Sequence, residues 1–129
     1  MKTLKKSAKQ LVNDARARIV EIETIDALNL SNQENTVLID IRETREREKS
    51  GTIPGSVHCP RAFLEFAVDP SNPLHKPELA EDKQYVIYCA SGMRSALAAA
   101  SLQDMGFDAA HLKEGFGGYA KNGGVTESV

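Results

Sequence analysis

Two short runs constrain the fold of this chain most strongly. Thr36-Val37-Leu38-Ile39-Asp40-Ile41 and Tyr85-Val86-Ile87-Tyr88 are nearly continuous apolar stretches rich in β-branched and aromatic residues. Strands read this way when both faces are covered, as in a parallel sheet. A strong helical pattern follows the second run, from Ser95 to Met105. There Ala98, Leu102 and Met105 share a face, with Leu97 and Ser101 beside them, and the alanines permit close packing on a sheet. Gly106 reads as the residue that ends this helix, and Phe107 as the apolar contact after it. Arg18 to Glu21, Val57-His58-Cys59 and Ala109-Ala110-His111-Leu112 read as further short strands. Strands that alternate with helices imply βα units. The expected fold class is α/β, with a central, mostly parallel sheet of about five strands and helices on both faces. In such sheets the ligand site lies beyond the carboxyl ends of the strands.

The remaining segments read as surface elements. Leu4, Ala8, Leu11, Val12 and Ala15 recur at helical spacing among Lys2, Lys5, Lys6 and Lys9. This amphipathic helix is expected to pack on the domain, because its apolar face lacks the aromatic anchors of a membrane-surface helix. Thr24 reads as the N-cap of a helix from Ile25 to Leu30. Glu43 to Ser50 reads as a solvated helix stopped by Gly51, and Glu43, Arg45, Glu46, Arg47 and Glu48 are assigned no chemistry. Phe63 to Ala67 and Lys76 to Ala80 read as brief helical turns. Gly115-Phe116-Gly117-Gly118-Tyr119 leads into a last short helix, after which the tail from Asn122 is expected to fray. The predicted organisation is a helix and first strand over 1–23, the main domain over 24–124, and a tail over 125–129.

Length and composition limit the function classes. A chain of 129 residues suits one domain. A formal net charge of -2 argues against a nucleic-acid partner. Two cysteines, Cys59 and Cys89, do not make a disulfide-stapled secreted scaffold, so a reducing compartment and a cytoplasmic location are expected. The basic residues near Met1 have no apolar run behind them, unlike a signal peptide, and no stretch is as long as a membrane span. No Cys-x-x-Cys pair occurs, and His58, His75 and His111 lack ligand spacing, so no metal is expected.

The chemistry concentrates where the second apolar run stops. Cys89 ends that strand, the small loop Ala90-Ser91-Gly92-Met93 follows, and Arg94-Ser95 opens the helix. The thiolate is the reactive form of cysteine. Here inward-facing loop amides, the positive end of the helix and the Arg94 charge would all favour an anionic sulfur. Gly92 lets the loop curl, and Ser91 and Ser95 add hydroxyl donors.

Cys89-Ala-Ser-Gly-Met-Arg94-Ser95 resembles the active-site loop of the rhodanese, or sulfurtransferase, family. Asp40-Ile41-Arg42-Glu43 followed by Gly51-Thr52-Ile53-Pro54-Gly55-Ser56 resembles a second signature of that family, and Gly115-Phe116-Gly117-Gly118-Tyr119 its closing motif. The match runs in order from about Thr24 to Gly124. Thr52 stands where the family usually has histidine, and Tyr119 near a place where it often has tryptophan. The resemblance implies a single rhodanese-like domain in which Cys89 takes a sulfane sulfur from a donor such as thiosulfate. Cyanide or a thiol then removes it from the persulfide. It implies no cofactor, a small sulfur donor and acceptor, a protein acceptor as a further option, and a monomer or weak dimer. Four residues lie between Cys89 and Arg94. Related phosphatases of the cell-division type have a longer loop that fits a tetrahedral phosphate. The shorter loop here therefore points to sulfur. The alternative reading is a non-catalytic or sulfur-carrier module that acts through protein partners.

Four further residues are candidates for the pocket. Arg42 has the fork geometry that suits an oxyanion, although it and Asp40 read first as a structural brace. His58 reads as a hydrogen-bonded structural histidine with a secondary role as pocket acid or base. Cys59 reads as a small buried residue, with a resolving disulfide to Cys89 as the sharper option. Arg61 is a candidate for the pocket rim.

Overall fold

The computed structural model describes residues 1–129. Its five strands are β1 (Glu21–Ile22), β2 (Thr36–Asp40), β3 (Val57–His58), β4 (Gln84–Tyr88) and β5 (Ala109–Leu112). Every pairing among them is parallel, in the order β1-β5-β4-β2-β3. The two apolar runs are the central pair, registered from Thr36 opposite Gln84 to Asp40 opposite Tyr88. Six helices connect them: α1 (Ala8–Arg16), α2 (Thr24–Ala27), α3 (Thr44–Ser50), α4 (Leu64–Ala67), α5 (Met93–Asp104) and α6 (Gly115–Lys121).

The alternation of a strand explains why both runs are apolar throughout. Ile39, Ile41, Tyr85, Ile87 and Cys89 face one layer, built from Leu64 and Ala67 of α4 and Ala98, Ala99 and Leu102 of α5. Leu38, Val86 and Tyr88 face the opposite layer, with Ala27 of α2 and Phe116 and Tyr119 of α6. Each fully buried Ile or Leu in these layers contributes about 1.5–3 kcal/mol. The alanine-rich face of α5 also receives α1, through Val12 and Ala15 against Ala96 and Ala100.

Several elements differ from expectation. Helix α1 starts late, because Ser7 caps it by accepting the Gln10 N–H, and Leu4 and Leu11 stay exposed. Thr24 is the first residue of α2 and not its cap. Glu23 precedes the helix, and the Thr24 hydroxyl donates to Glu114. The first strand is Glu21–Ile22, a shift set by pairing with His111 and Leu112 of β5. The tail is held down. Thr52 and Glu127 exchange backbone hydrogen bonds of 2.9 Å, and the Tyr119 hydroxyl donates to the Val125 carbonyl. No helix is long and apolar enough to cross a membrane.

Candidate functional site

Cys89 follows β4 directly, so it sits at the carboxyl end of a central strand. It is 1% exposed, and its Sγ lies at the mouth of the loop that leads into α5. The Gly92 N–H donates to Sγ at 3.1 Å and the Ser95 N–H at 3.3 Å. Two backbone dipoles at the start of a twelve-residue helix therefore converge on one sulfur. The N–H groups of Ser91, Met93 and Arg94 have no partner within the chain and remain free to bind an anion.

The loop owes its shape to glycines on both sides of it. Gly92 has φ of +98°, and a Cβ there would lie 2.2 Å from the Lys113 carbonyl oxygen. Gly115 has φ of +66°, and its Cβ would meet the Ala90 carbonyl oxygen at 2.6 Å. The closing glycine motif is thus a seat for the loop. Phe116 N–H donates to the Cys89 carbonyl at 2.8 Å, and Gly117 N–H to the Ala90 carbonyl at 2.9 Å.

A buried ion pair supports this seat from below. Asp40 and Arg42 are 0% and 1% exposed, and the carboxylate receives Arg42 Nε at 3.0 Å and Nη2 at 2.8 Å. Tyr88 and Thr52 hydroxyls also donate to Asp40, at 3.0 and 3.2 Å. Burial pushes the Asp40 carboxyl up, but the Arg42 hydrogen bonds outweigh it and hold it below the usual range. Arg42 further donates to the Gly51 carbonyl and the Ser50 hydroxyl, and its guanidinium lies 4.1 Å from the Phe116 ring centroid. The brace expected of Asp40 and Arg42 is present. Thr52 takes part in it through its hydroxyl.

Arg94 does not turn its fork toward the sulfur. Nη1 and Nη2 bind the two Glu46 oxygens at 2.8 and 2.9 Å, which ties the start of α5 to α3. The hydrogen bond from Arg94 holds the Glu46 carboxyl down at about 2. The reading of α3 as a wholly solvated face needs correction here. Glu46 and Arg47 turn inward, and Arg47 Nε lies 3.3 Å from Asp40 Oδ2. A helix this charged on all sides carries no periodic signal for which side faces in.

The other candidates lie at the same end of the sheet. A cavity of about 380 Å³ beside Ala90 is lined by Arg42, Glu46, Lys49, Ser50 and Phe116. A second, of about 540 Å³, is lined by Thr44, His58, Cys59, Phe63, His75 and Lys76. His58 gives its Nε2 to the Arg42 carbonyl at 2.8 Å, and Arg61 binds Glu65 at 2.7 Å. Cys59 is a free thiol, as is Cys89, and burial pushes it up, away from the reactive form. A third cavity, of about 410 Å³, is lined by Tyr85, Gln84 and Ala109 at the amino ends of the strands and has no cysteine in its lining.

Behind the sulfur lies a polar chain that no motif announced. Cys89 Sγ is 3.5 Å from Ser95 Oγ, which is 2.7 Å from His111 Nδ1. His111 Nε2 is 2.9 Å from Glu21 Oε2, and Arg16 binds the same carboxylate. Ser95 and His111 are both 0% exposed. The only available signal was a polar residue inside an apolar strand, at His111.

The rhodanese-like domain model matches residues 23–122. A sulfurtransferase of Allochromatium vinosum is 31% identical over 107 residues, covering 79% of this chain and 92% of that protein. The tRNA sulfurtransferase of Shewanella halifaxensis is 31% identical over 104 residues. That match covers 77% of this chain, which spans only 19% of the longer protein. Among solved structures, a Rhodopseudomonas palustris protein of unknown function, described as a possible tyrosine phosphatase, superposes with a TM-score of 0.94. It is 44% identical and the match covers 98% of both chains. The chain belongs to the rhodanese-like domain family.

Proposed function

We propose that this protein is a sulfurtransferase that carries a sulfane sulfur as a persulfide on Cys89. The observation that carries this reading is the pair of amides, from Gly92 and Ser95, that donate to Cys89 Sγ at the head of α5. The Cys89 thiolate would attack the outer sulfur of a donor such as thiosulfate. The new S–S bond forms as the donor's own S–S bond breaks, and its electron pair leaves on sulfite. The terminal sulfur then bears the negative charge, and the unpaired amides of Ser91, Met93 and Arg94 are available to it. An acceptor such as cyanide or a thiol attacks that sulfur, and Cys89 returns as thiolate. Sulfurtransferase relatives at about this identity support the same chemistry.

Two features favour sulfur over phosphoryl transfer. Cys89 is 1% exposed under a four-residue loop, a space better matched to one sulfur than to a tetrahedral group. The Arg94 fork, which would be needed for phosphate oxygens, is held by Glu46. Incubation with thiosulfate followed by peptide mass spectrometry tests the reading. One added sulfur on the Cys89 peptide is expected, absent in Cys89→Ser, with thiocyanate released on adding cyanide. An unmodified Cys89 together with hydrolysis of an aryl phosphate would overturn it in favour of a phosphatase.

A further inference from the structure

Three hydrogen-bonding groups, Ser95, His111 and Glu21, lead away from the sulfur in a line that ends at a carboxylate. Their polarity follows from what each can donate. The Glu21 carboxylate is an acceptor, so His111 Nε2, at 2.9 Å, carries the ring hydrogen. Nδ1 is then an acceptor, and the Ser95 hydroxyl donates to it at 2.7 Å. The Ser95 oxygen in turn can accept the Cys89 S–H at 3.5 Å. Every bond in the chain points the same way, from sulfur toward the Glu21 carboxylate.

We infer that Ser95, His111 and Glu21 form a buried relay that takes up the Cys89 thiol proton and keeps the sulfur armed as a thiolate. The inference rests on Cys89 being the sulfur-bearing nucleophile. The S–H bond breaks as the Ser95 oxygen gains the proton, while the Ser95 hydroxyl proton passes to His111 Nδ1. The result is a thiolate and an imidazolium. No electrons change hands and no co-reactant is needed. The thiolate is met by the Gly92 and Ser95 amides, and the imidazolium by Glu21.

The surroundings favour this role. Burial holds the His111 imidazole below its ordinary value and so opposes its protonation, while the Glu21 hydrogen bond and charge pull it up, which makes the carboxylate the group that equips the ring to accept a proton. Burial pushes Glu21 up, but hydrogen bonds from His111 and Arg16 outweigh it and keep the carboxyl ionised. The charged groups facing the ring are Glu21 of β1 and Arg16 of α1, while Lys113, farther along β5, is taken up by Glu23. Arg16 also lies beside the loop, since a Cβ added to Gly92 would stand 3.0 Å from its Nη2. Helix α1 therefore reaches the sulfur through Arg16 and Glu21. His111 and Glu21 are positioning residues that act through Ser95.

Alkylation of Cys89 by iodoacetamide, followed on its peptide by mass spectrometry across pH, reads the thiolate without any sulfur transfer. In Glu21→Gln and His111→Asn the rate near pH 7 is expected to fall about tenfold, the change that one unit of proton affinity produces. It should regain the wild-type rate at high pH, where solvent removes the thiol proton. An unchanged rate near pH 7, or an equal loss at every pH, would overturn the relay. Nitrogen-15 shifts of His111 in the wild-type protein give a second reading that needs no relay variant. Alkylating Cys89 should move the pH at which the ring titrates, and an unmoved titration refutes the coupling. If wild-type Cys89 never accepts sulfur from thiosulfate, the sulfurtransferase reading fails while the alkylation profile still decides the relay.

Discussion

Replacing Gly92 by alanine probes how tightly the loop is seated. At φ of +98° a residue with a Cβ pays roughly 1–2 kcal/mol for the left-handed backbone. The added carbon would stand 2.2 Å from the Lys113 carbonyl oxygen. Ordinary contact begins at 3.4 Å, so loop and strand end must part by about 1.2 Å. Forcing such a shift in a packed region costs about 1–3 kcal/mol more. The expected loss is about 2–5 kcal/mol, or roughly 10–15 °C in Tm for a domain of this size. The shift also withdraws the Gly92 amide from Sγ, now 3.1 Å away. Gly106→Ala supplies the control within the same fold. It has φ of +83° but nothing within 4 Å of its Cβ, so it should cost only about 1–2 kcal/mol. Thermal and urea unfolding measure both losses, and iodoacetamide labelling of Cys89 measures the consequence at the sulfur. If Gly92→Ala loses no more stability than Gly106→Ala and labels at the wild-type rate, the loop is not held against Lys113 as described.

Two further outcomes follow from charges around the site. Asp40→Ala leaves the Arg42 guanidinium, 1% exposed, without its carboxylate, and should cost about 3–5 kcal/mol in urea unfolding; a loss below about 1 kcal/mol would show that Arg42 finds other partners. Glu46 has its folded value lowered from 4.5 to about 2 by the hydrogen bond from Arg94. A depressed carboxyl stabilises above its unfolded value and loses that contribution as pH falls through the folded one, here between about 4.5 and 2. Because both partners are about a third exposed, the gain is about 1 kcal/mol, and Glu46→Gln should remove that much of the acid-limb slope in a pH series of unfolding midpoints.

The parts of this fold that were legible in the sequence are those governed by local periodicity. β2, β4 and β5 stood out as apolar runs, and α5 as an alanine-rich stripe ending at glycine, because their neighbours along the chain also line the core. The Cys89 loop was legible for the same reason, since strand, loop and helix start are contiguous. The Asp40–Arg42 brace was legible too, two residues apart at a strand end. What escaped depends on long-range register. Glu21 meets His111 only because the two-residue β1 pairs with β5, and neither residue has a local partner to mark it. Glu46 looked like its charged neighbours because the roll of α3 is set by Arg94, on a distant helix. The tail looked unattached because its partner, Thr52, lies far upstream.

The pairing of β1 with β5 has a consequence for when the thiol becomes competent. Glu21 and His111 are 90 residues apart, the widest separation bridged anywhere in the sheet, and the strand that joins them is two residues long. Loop-closure entropy therefore weighs more on this contact than on the other pairings of the sheet. A chain with β2, β4 and α5 in place but β1 not yet paired would hold Cys89 beneath the Gly92 and Ser95 amides, and its histidine would have no carboxylate behind it. On the relay proposed above, the Cys89 thiol is armed only once the fold is complete, and an incompletely folded copy would carry a muted cysteine through the most exposed period of its life.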